Sequence, residues 1–114
     1  MGKNEILSAL LMELRRGTIV LCALDYLHKP MYGYHLVTAM EQGGVPVETN
    51  TLYPLLRRLE AQGLLESNWN TQEAKPRKYY VITPFGKEIY EALKNQWRTT
   101  TQKVNVILEE SRDE

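Results

Sequence analysis

The apolar spacing of this chain changes period at Gly63 and changes back at Thr83-Pro84. Before Gly63 the hydrophobic residues recur every three or four positions, as on one face of an α-helix. From Leu64 to Thr83 they alternate crudely, as in strands with one buried face. After Pro84 the helical spacing resumes and persists to Leu108. A chain so patterned folds as helices around one small β-hairpin. Its 114 residues amount to a single domain, long enough for a modest core but short for an enzyme with a deep cleft.

Helices are expected before the break. Ile6, Leu7, Leu10, Leu11 and Leu14 form a stripe, and the run TIVLCALDYL after it is apolar nearly all round, which predicts deep burial for residues 19–24. Gly17 either divides residues 4–28 into two helices or sits within one. KPMYG (29–33) reads as a turn. YGYHLVTAMEQ then reads as a short helix with Leu36, Val37 and Met40 inward, stopped by Gly43-Gly44. In NTLYPLLRRLEAQGLL (50–65), Leu52, Leu55, Leu56 and Leu59 share one arc. Gly63 suits the left-handed position that ends a helix, with Leu64 folding back on Leu59. Thr49 or Asn50 is the expected N-cap, and Pro54 removes one backbone bond and predicts a local bend.

LLESNWN, with Leu65 and Trp69 on one face, and the β-branched and aromatic KYYVIT (78–83) are the two strands. TQEAKPR joins them in a loop too long for a two-residue turn. Tyr79 and Tyr80 point to opposite faces, so only one of them can be buried. Thr83 as N-cap and Pro84 at the first helical position open a long final helix, with Phe85, Ile89, Leu93, Trp97, Val104 and Leu108 as its inner stripe. Thr99, Thr100 and Thr101 weaken that helix locally, and SRDE (111–114) is expected to fray.

Two short helices joined by a glycine turn, then a hairpin with a basic tip, make a winged helix-turn-helix. Residues 1–83 would form that DNA-binding unit and 84–114 a C-terminal dimerisation helix of the same compact body. On the helix over 50–61 the face opposite the leucines holds Asn50, Pro54, Arg57 and Ala61, flanked by Tyr53 and Arg58. Arginine forks match guanine or phosphate bidentately when such a face enters the major groove. Lys75, Arg77 and Lys78 give the hairpin tip cations suited to the neighbouring phosphates. The formal net charge is zero, so the basic character is local: no acid lies between Lys75 and Lys78.

Other chemistries find little support. Cys22, the one cysteine, cannot form an internal disulfide and lies in an apolar run, which fits a buried inert thiol in a reducing compartment. With Cys22, His28 and His35 as the only soft or imidazole ligands, and no His pair at i, i+4 spacing, neither a metal nor a cofactor is expected. No nucleophile–base pair, phosphate loop or carboxylate constellation marks an enzyme. MGKNEILSALLMELRR mixes charge into its leucines, unlike a signal peptide or membrane helix, so the cytoplasm is the default location and no membrane partner is expected.

MYGYHLVTAM, TLYPLLRRLEAQGLL and KPRKYYVITPFGKE, in this order and at this spacing over residues 17–97, resemble the PadR family of bacterial transcriptional regulators. The short final helix is similar to that of the family's compact subgroup. The resemblance implies a homodimeric repressor on double-stranded operator DNA, dimerised by the last helix of one copy against the first helix of the other. Position by position it implies that Tyr32, Gly33 and Tyr34 start a helix that approaches the DNA backbone. It further implies that Asn50, Thr51, Tyr53 and Arg57 form the recognition face, and that Lys75, Arg77 and Lys78 belong to the wing. Release by a small aromatic effector is also implied.

Several residues keep two readings. Arg57 contacts DNA or pairs with Glu60. Arg58, at the edge of the face, reads DNA or meets a carboxylate, and Tyr53 contacts the backbone or joins the core. Trp97 with Leu93, facing Leu10 and Leu14 of the first helix, either packs a dimer interface or also stacks on a flat ligand. The zero net charge keeps a rival open for the whole chain, a winged helix used as a protein-interaction module.

Overall fold

A computed structural model describes residues 2–72 and 74–110; the tail expected to fray at 111–114 lies outside them. Helix α1 spans Lys3–Tyr26, strand β1 Met31–Tyr32, α2 Gly33–Gln42, α3 Thr49–Ala61, β2 Leu65–Asn70, β3 Arg77–Ile82 and α4 Pro84–Glu110. The architecture is that of a winged helix, mainly α with a small antiparallel sheet. Helix α1 runs through Gly17 without a break.

Both helices of the helix-turn-helix stop in the same way. Gly44 and Gly63 take φ of +87° and +82°, a left-handed conformation that glycine adopts without strain. The amide of Val45 then donates to the Met40 carbonyl at 2.9 Å, and that of Leu64 to the Leu59 carbonyl at 3.0 Å. Each is the six-to-one bond of a Schellman motif, with Gly44 and Gly63 donating to Glu41 and Glu60. At the other end of α3 the sequence expectation is corrected. The N-cap is Glu48, one residue before Thr49, and its side chain makes no capping bond; its carbonyl accepts from Thr51 and Leu52 at 3.0 and 2.9 Å. Main-chain bonds place this start, so the preference of Thr49 or Asn50 for capping does not decide it.

The turn expected at 29–33 contains a strand. Met31 pairs with Tyr80 and Tyr32 with Tyr79, giving a three-stranded sheet in the order β1-β3-β2. A two-residue strand has no alternation to show in a sequence; the pairing comes from chain segments brought together in space. The register Leu65↔Ile82 through Asn70↔Arg77 divides the sheet into two faces. Leu65, Ser67, Trp69, Lys78, Tyr80 and Ile82 lie on the face toward the helices, and Glu66, Asn68, Asn70, Arg77, Tyr79 and Val81 on the outer face. Leu65 and Trp69 share a face as expected, but the core ends before Trp69, which is 63% exposed.

Leu24, Leu27, Leu36, Met40, Leu52, Leu56 and Leu59 are fully buried at the centre, closed on the sheet side by Leu65, Tyr80 and Ile82. Each buried leucine contributes about 1.5–3 kcal/mol by leaving water. Of the run predicted to be deeply buried, Ala23 and Leu24 are, whereas Ile19 to Cys22 are only half-buried. Helix α4 brings a second correction: its buried residues are Gly86 and Tyr90, and Phe85 is 51% exposed. Gly86 sits so close to the sheet root that an added Cβ would lie 2.7 Å from the Ile82 side chain and also press on the Leu64 backbone. That approach fixes the helix rotation and turns Phe85 outward. The cap itself is as expected, with the Thr83 hydroxyl accepting from the Gly86 amide at 2.9 Å.

Candidate nucleic-acid interface

Burial of Leu52, Leu55, Leu56 and Leu59 leaves the rest of α3 no choice of face. Asn50, Thr51, Pro54, Arg57 and Arg58 are all exposed. The neighbouring acid is engaged elsewhere: Glu60 accepts a hydrogen bond from the Ser67 hydroxyl, and its other oxygen lies 3.6 Å from Lys78 Nζ. Among the described residues, neither Arg57 nor Arg58 makes an ion pair. Two guanidinium groups therefore stand on the outer face of α3, without the carboxylate partner weighed for Arg57.

Tyr53 is half-buried, and its ring lies across the start of α2. A Cβ built on Gly33 would come within 2.8 Å of Tyr53 Oη, so glycine there is a packing requirement. Gly33 is buried, Tyr34 is exposed, and the Tyr34 carbonyl accepts from the Thr38 hydroxyl at 3.1 Å. Tyr32, half-buried, is the N-cap of α2 and makes no side-chain capping bond. Tyr53 and the residues opening α2 thus meet at one edge of the exposed face of α3.

The three wing cations separate. Lys75 is exposed in the loop. Lys78 turns to the inner face of the sheet, toward Glu60 and over the Tyr80 ring at 5.3 Å. Arg77 turns to the outer face, its guanidinium 4.3 Å from the centre of the Tyr32 ring. The strand alternation sends them apart. Of the two tyrosines, Tyr80 is the buried one, and Tyr79 is half-buried with its ring edge-on to Tyr32 at 5.6 Å.

Away from α3, the C-terminal half of α1 meets the N-terminal half of α4. The Tyr90 hydroxyl donates to Asp25 at 2.5 Å, and His28 lies edge-on to the Tyr90 ring at 4.8 Å. The bond to Asp25, then burial, pushes the Tyr90 pKa up to about 12. Burial and the Asp25 charge also push the Cys22 thiol up, which keeps it protonated and inert. A groove of about 350 Å³ opens beside them, lined by Cys22, Asp25, Tyr90, Lys94, Trp97 and Arg98. Trp97 is 47% exposed, and Leu10, Leu14 and Leu93 are exposed as well. Neither Tyr90 nor Asp25 stood out in the sequence. Their one signal is an acid inside an otherwise apolar run.

The profile of the transcriptional regulator PadR-like family matches residues 20–92. The chain belongs to that family. This PadR-like chain is 34% identical over 76 residues to the transcriptional regulator Rv3488 of Mycobacterium tuberculosis, covering 66% of its own length and 71% of that protein's. A PadR family regulator from Eggerthella lenta shares 46% identity and superposes with a TM-score of 0.86, over 93% of this chain and 95% of that one. A PadR-like regulator from Bacillus cereus shares 31%, with a TM-score of 0.73 over 84% and 96%. The PadR-like chain is thus a transcriptional regulator of a DNA-binding family and not an enzyme, and no described helix is long and apolar enough to cross a membrane.

Proposed function

We propose that this PadR-like regulator acts in the cytoplasm as a homodimeric repressor of a pseudo-palindromic operator. Helix α3 enters the major groove, with Asn50, Thr51 and Arg57 toward the bases. Tyr53, Arg58, the start of α2 and the wing, with Lys75 and Arg77 foremost, anchor phosphates. The observation that carries this reading is the outward pair Arg57 and Arg58 on a helix whose one acid, Glu60, is held by the wing strands. Two copies would set their recognition helices roughly 34–36 Å apart, one turn of DNA.

Dimerisation is supported by apolar side chains that one copy leaves uncovered: Leu7, Leu10 and Leu14 on α1, and Leu93, Trp97, Val104, Ile107 and Leu108 on α4. A flat aromatic effector in the groove beside Trp97 would touch both helices, change the separation of the two α3 helices and so release DNA.

Fluorescence-anisotropy binding to DNA from immediately upstream of the protein's own gene, beside a scrambled duplex and at two salt concentrations, tests the proposal. Preference for the upstream duplex with a steep loss of affinity in salt is the expected result, because phosphate contacts release counterions. Absence of binding to either duplex even at low salt would favour a protein-interaction module, the reading that zero net charge leaves open.

A further inference from the structure

Arg77 is the wing cation whose position the fold defines most closely on the outer face. It lies two residues before Tyr79 on β3, so the two side chains share that face. Tyr79 is paired directly with Tyr32 of β1. Strand β1 ends at Tyr32, where α2 begins, so no strand residue lies opposite Arg77 on that side. The Arg77 side chain instead reaches diagonally back over the Tyr32 ring, its guanidinium carbon 4.3 Å from the ring centre. That ring cannot easily turn away, since Tyr79 stands against it at 5.6 Å and His35 at 5.7 Å.

From this arrangement we propose that Tyr32 is a positioning residue. Its ring, buttressed by Tyr79, holds the Arg77 guanidinium at the loop end of β3, ready to meet a DNA phosphate. The inference rests on the proposal that the wing contacts DNA, and it assigns Tyr32 a role different from direct contact through its hydroxyl. A long flexible cation loses rotamer freedom when it grips a phosphate. A face-on aromatic ring removes part of that freedom before DNA arrives and favours the planar, weakly hydrated guanidinium over an ammonium.

The test uses the full chain and a random-sequence duplex over a series of salt concentrations, because a phosphate contact does not depend on sequence. Arg77→Ala should weaken binding and lower the slope of log affinity against log salt by about one. Tyr32→Leu should weaken binding about two- to fivefold with the slope kept, since the charge remains. Tyr32→Phe, which keeps the ring, should bind as the parent does, and Tyr32→Leu added to Arg77→Ala should cost nothing further. Loss of binding in Tyr32→Phe equal to that in Tyr32→Leu, or additive losses in the double variant, would overturn the proposal. A weakened Arg77→Ala beside an unaffected Tyr32→Leu would overturn it while leaving the wing's role in DNA binding standing. An unaffected Arg77→Ala would overturn both. If thermal melting shows that Tyr32→Leu does not fold, Arg77→Lys decides. Reduced affinity with an unchanged slope supports a ring-held guanidinium, and parental affinity contradicts it.

Discussion

The Tyr53 ring occupies the space where any side chain at position 33 would begin, so α3 and the first turn of α2 interlock at the edge of the exposed face of α3. Replacing Gly33 with alanine forces the ring to swing aside. Because the ring is the far end of a side chain and only half-buried, the expected stability loss is at the low end for overpacking, about 1 kcal/mol. DNA affinity should fall with it. In a Tyr53→Ala background the same Gly33→Ala change should cost almost nothing further, which a double-mutant cycle by urea denaturation and anisotropy would read.

Arg57 is the side chain on the exposed face of α3 best suited to read a base. Arg57→Ala should weaken binding to the preferred duplex by roughly 1–3 kcal/mol and flatten discrimination at one base pair. Stability should hold, because the side chain is exposed and makes no ion pair among the described residues. An equal loss on preferred and scrambled duplexes would reassign Arg57 to a phosphate.

Glu60 ties α3 to the wing, accepting from Ser67 on β2 and facing Lys78 on β3 at 3.6 Å. The ion pair is about one-third exposed on both sides and contributes at most about 1 kcal/mol. The hydrogen bond to the charged carboxylate is the larger part, roughly 1.5–3 kcal/mol where water is excluded and less here. Glu60→Ala should therefore destabilise modestly and raise amide exchange in β2 and β3, while Lys78→Met alone should cost little. Exchange rates in the two strands that match the parent's would show that the sheet holds the wing without this tie.

These relationships differ in how far the sequence announces them. Helix ends follow local rules, so the stops at Gly44 and Gly63 and the Thr83-Pro84 start are legible residue by residue. The leucine stripe of α3 is legible too, and with it the outward placement of Arg57. Strand β1 is not, because two residues carry no period and its existence depends on Tyr79 and Tyr80 arriving beside it. Lys75, Arg77 and Lys78 look alike as a basic cluster, and only the pairing register separates the outward Arg77 from the Lys78 held against Glu60. Phe85 and Tyr90 trade places relative to the pattern, since the contact of Gly86 with the sheet sets the rotation of α4. The half-burial of Ile19 to Cys22 is likewise decided by which parts of α2, α3 and α4 come to lie beside α1, which no single segment encodes.

The uncovered leucines of α1 make the proposed dimer testable without disturbing the single chain's own core. Leu10 is 56% exposed, so Leu10→Asp removes no intrachain burial of consequence. Sedimentation should show a dimer for the parent and a monomer for the variant. DNA binding should weaken sharply, because two half-sites are no longer engaged together. A variant that stays dimeric would place the interface away from this stripe.

Tyr90 gives α1 and α4 a pH-dependent joint. Its hydroxyl donates to Asp25, and its pKa stands at about 12, above the ordinary value of 10.0. A raised value means that the folded state holds the proton more tightly than the unfolded chain does. The stabilisation is then complete below pH 10 and is lost as pH rises from there through about 12. Tyr90→Phe cannot make the bond, so it should be less stable than the parent at neutral pH, with the gap closing across that alkaline window. Denaturant midpoints of the two proteins measured from neutral to alkaline pH read this directly. No gap at any pH would mean that the ring's packing beside His28, which phenylalanine keeps, and not the bond to Asp25, is what Tyr90 supplies.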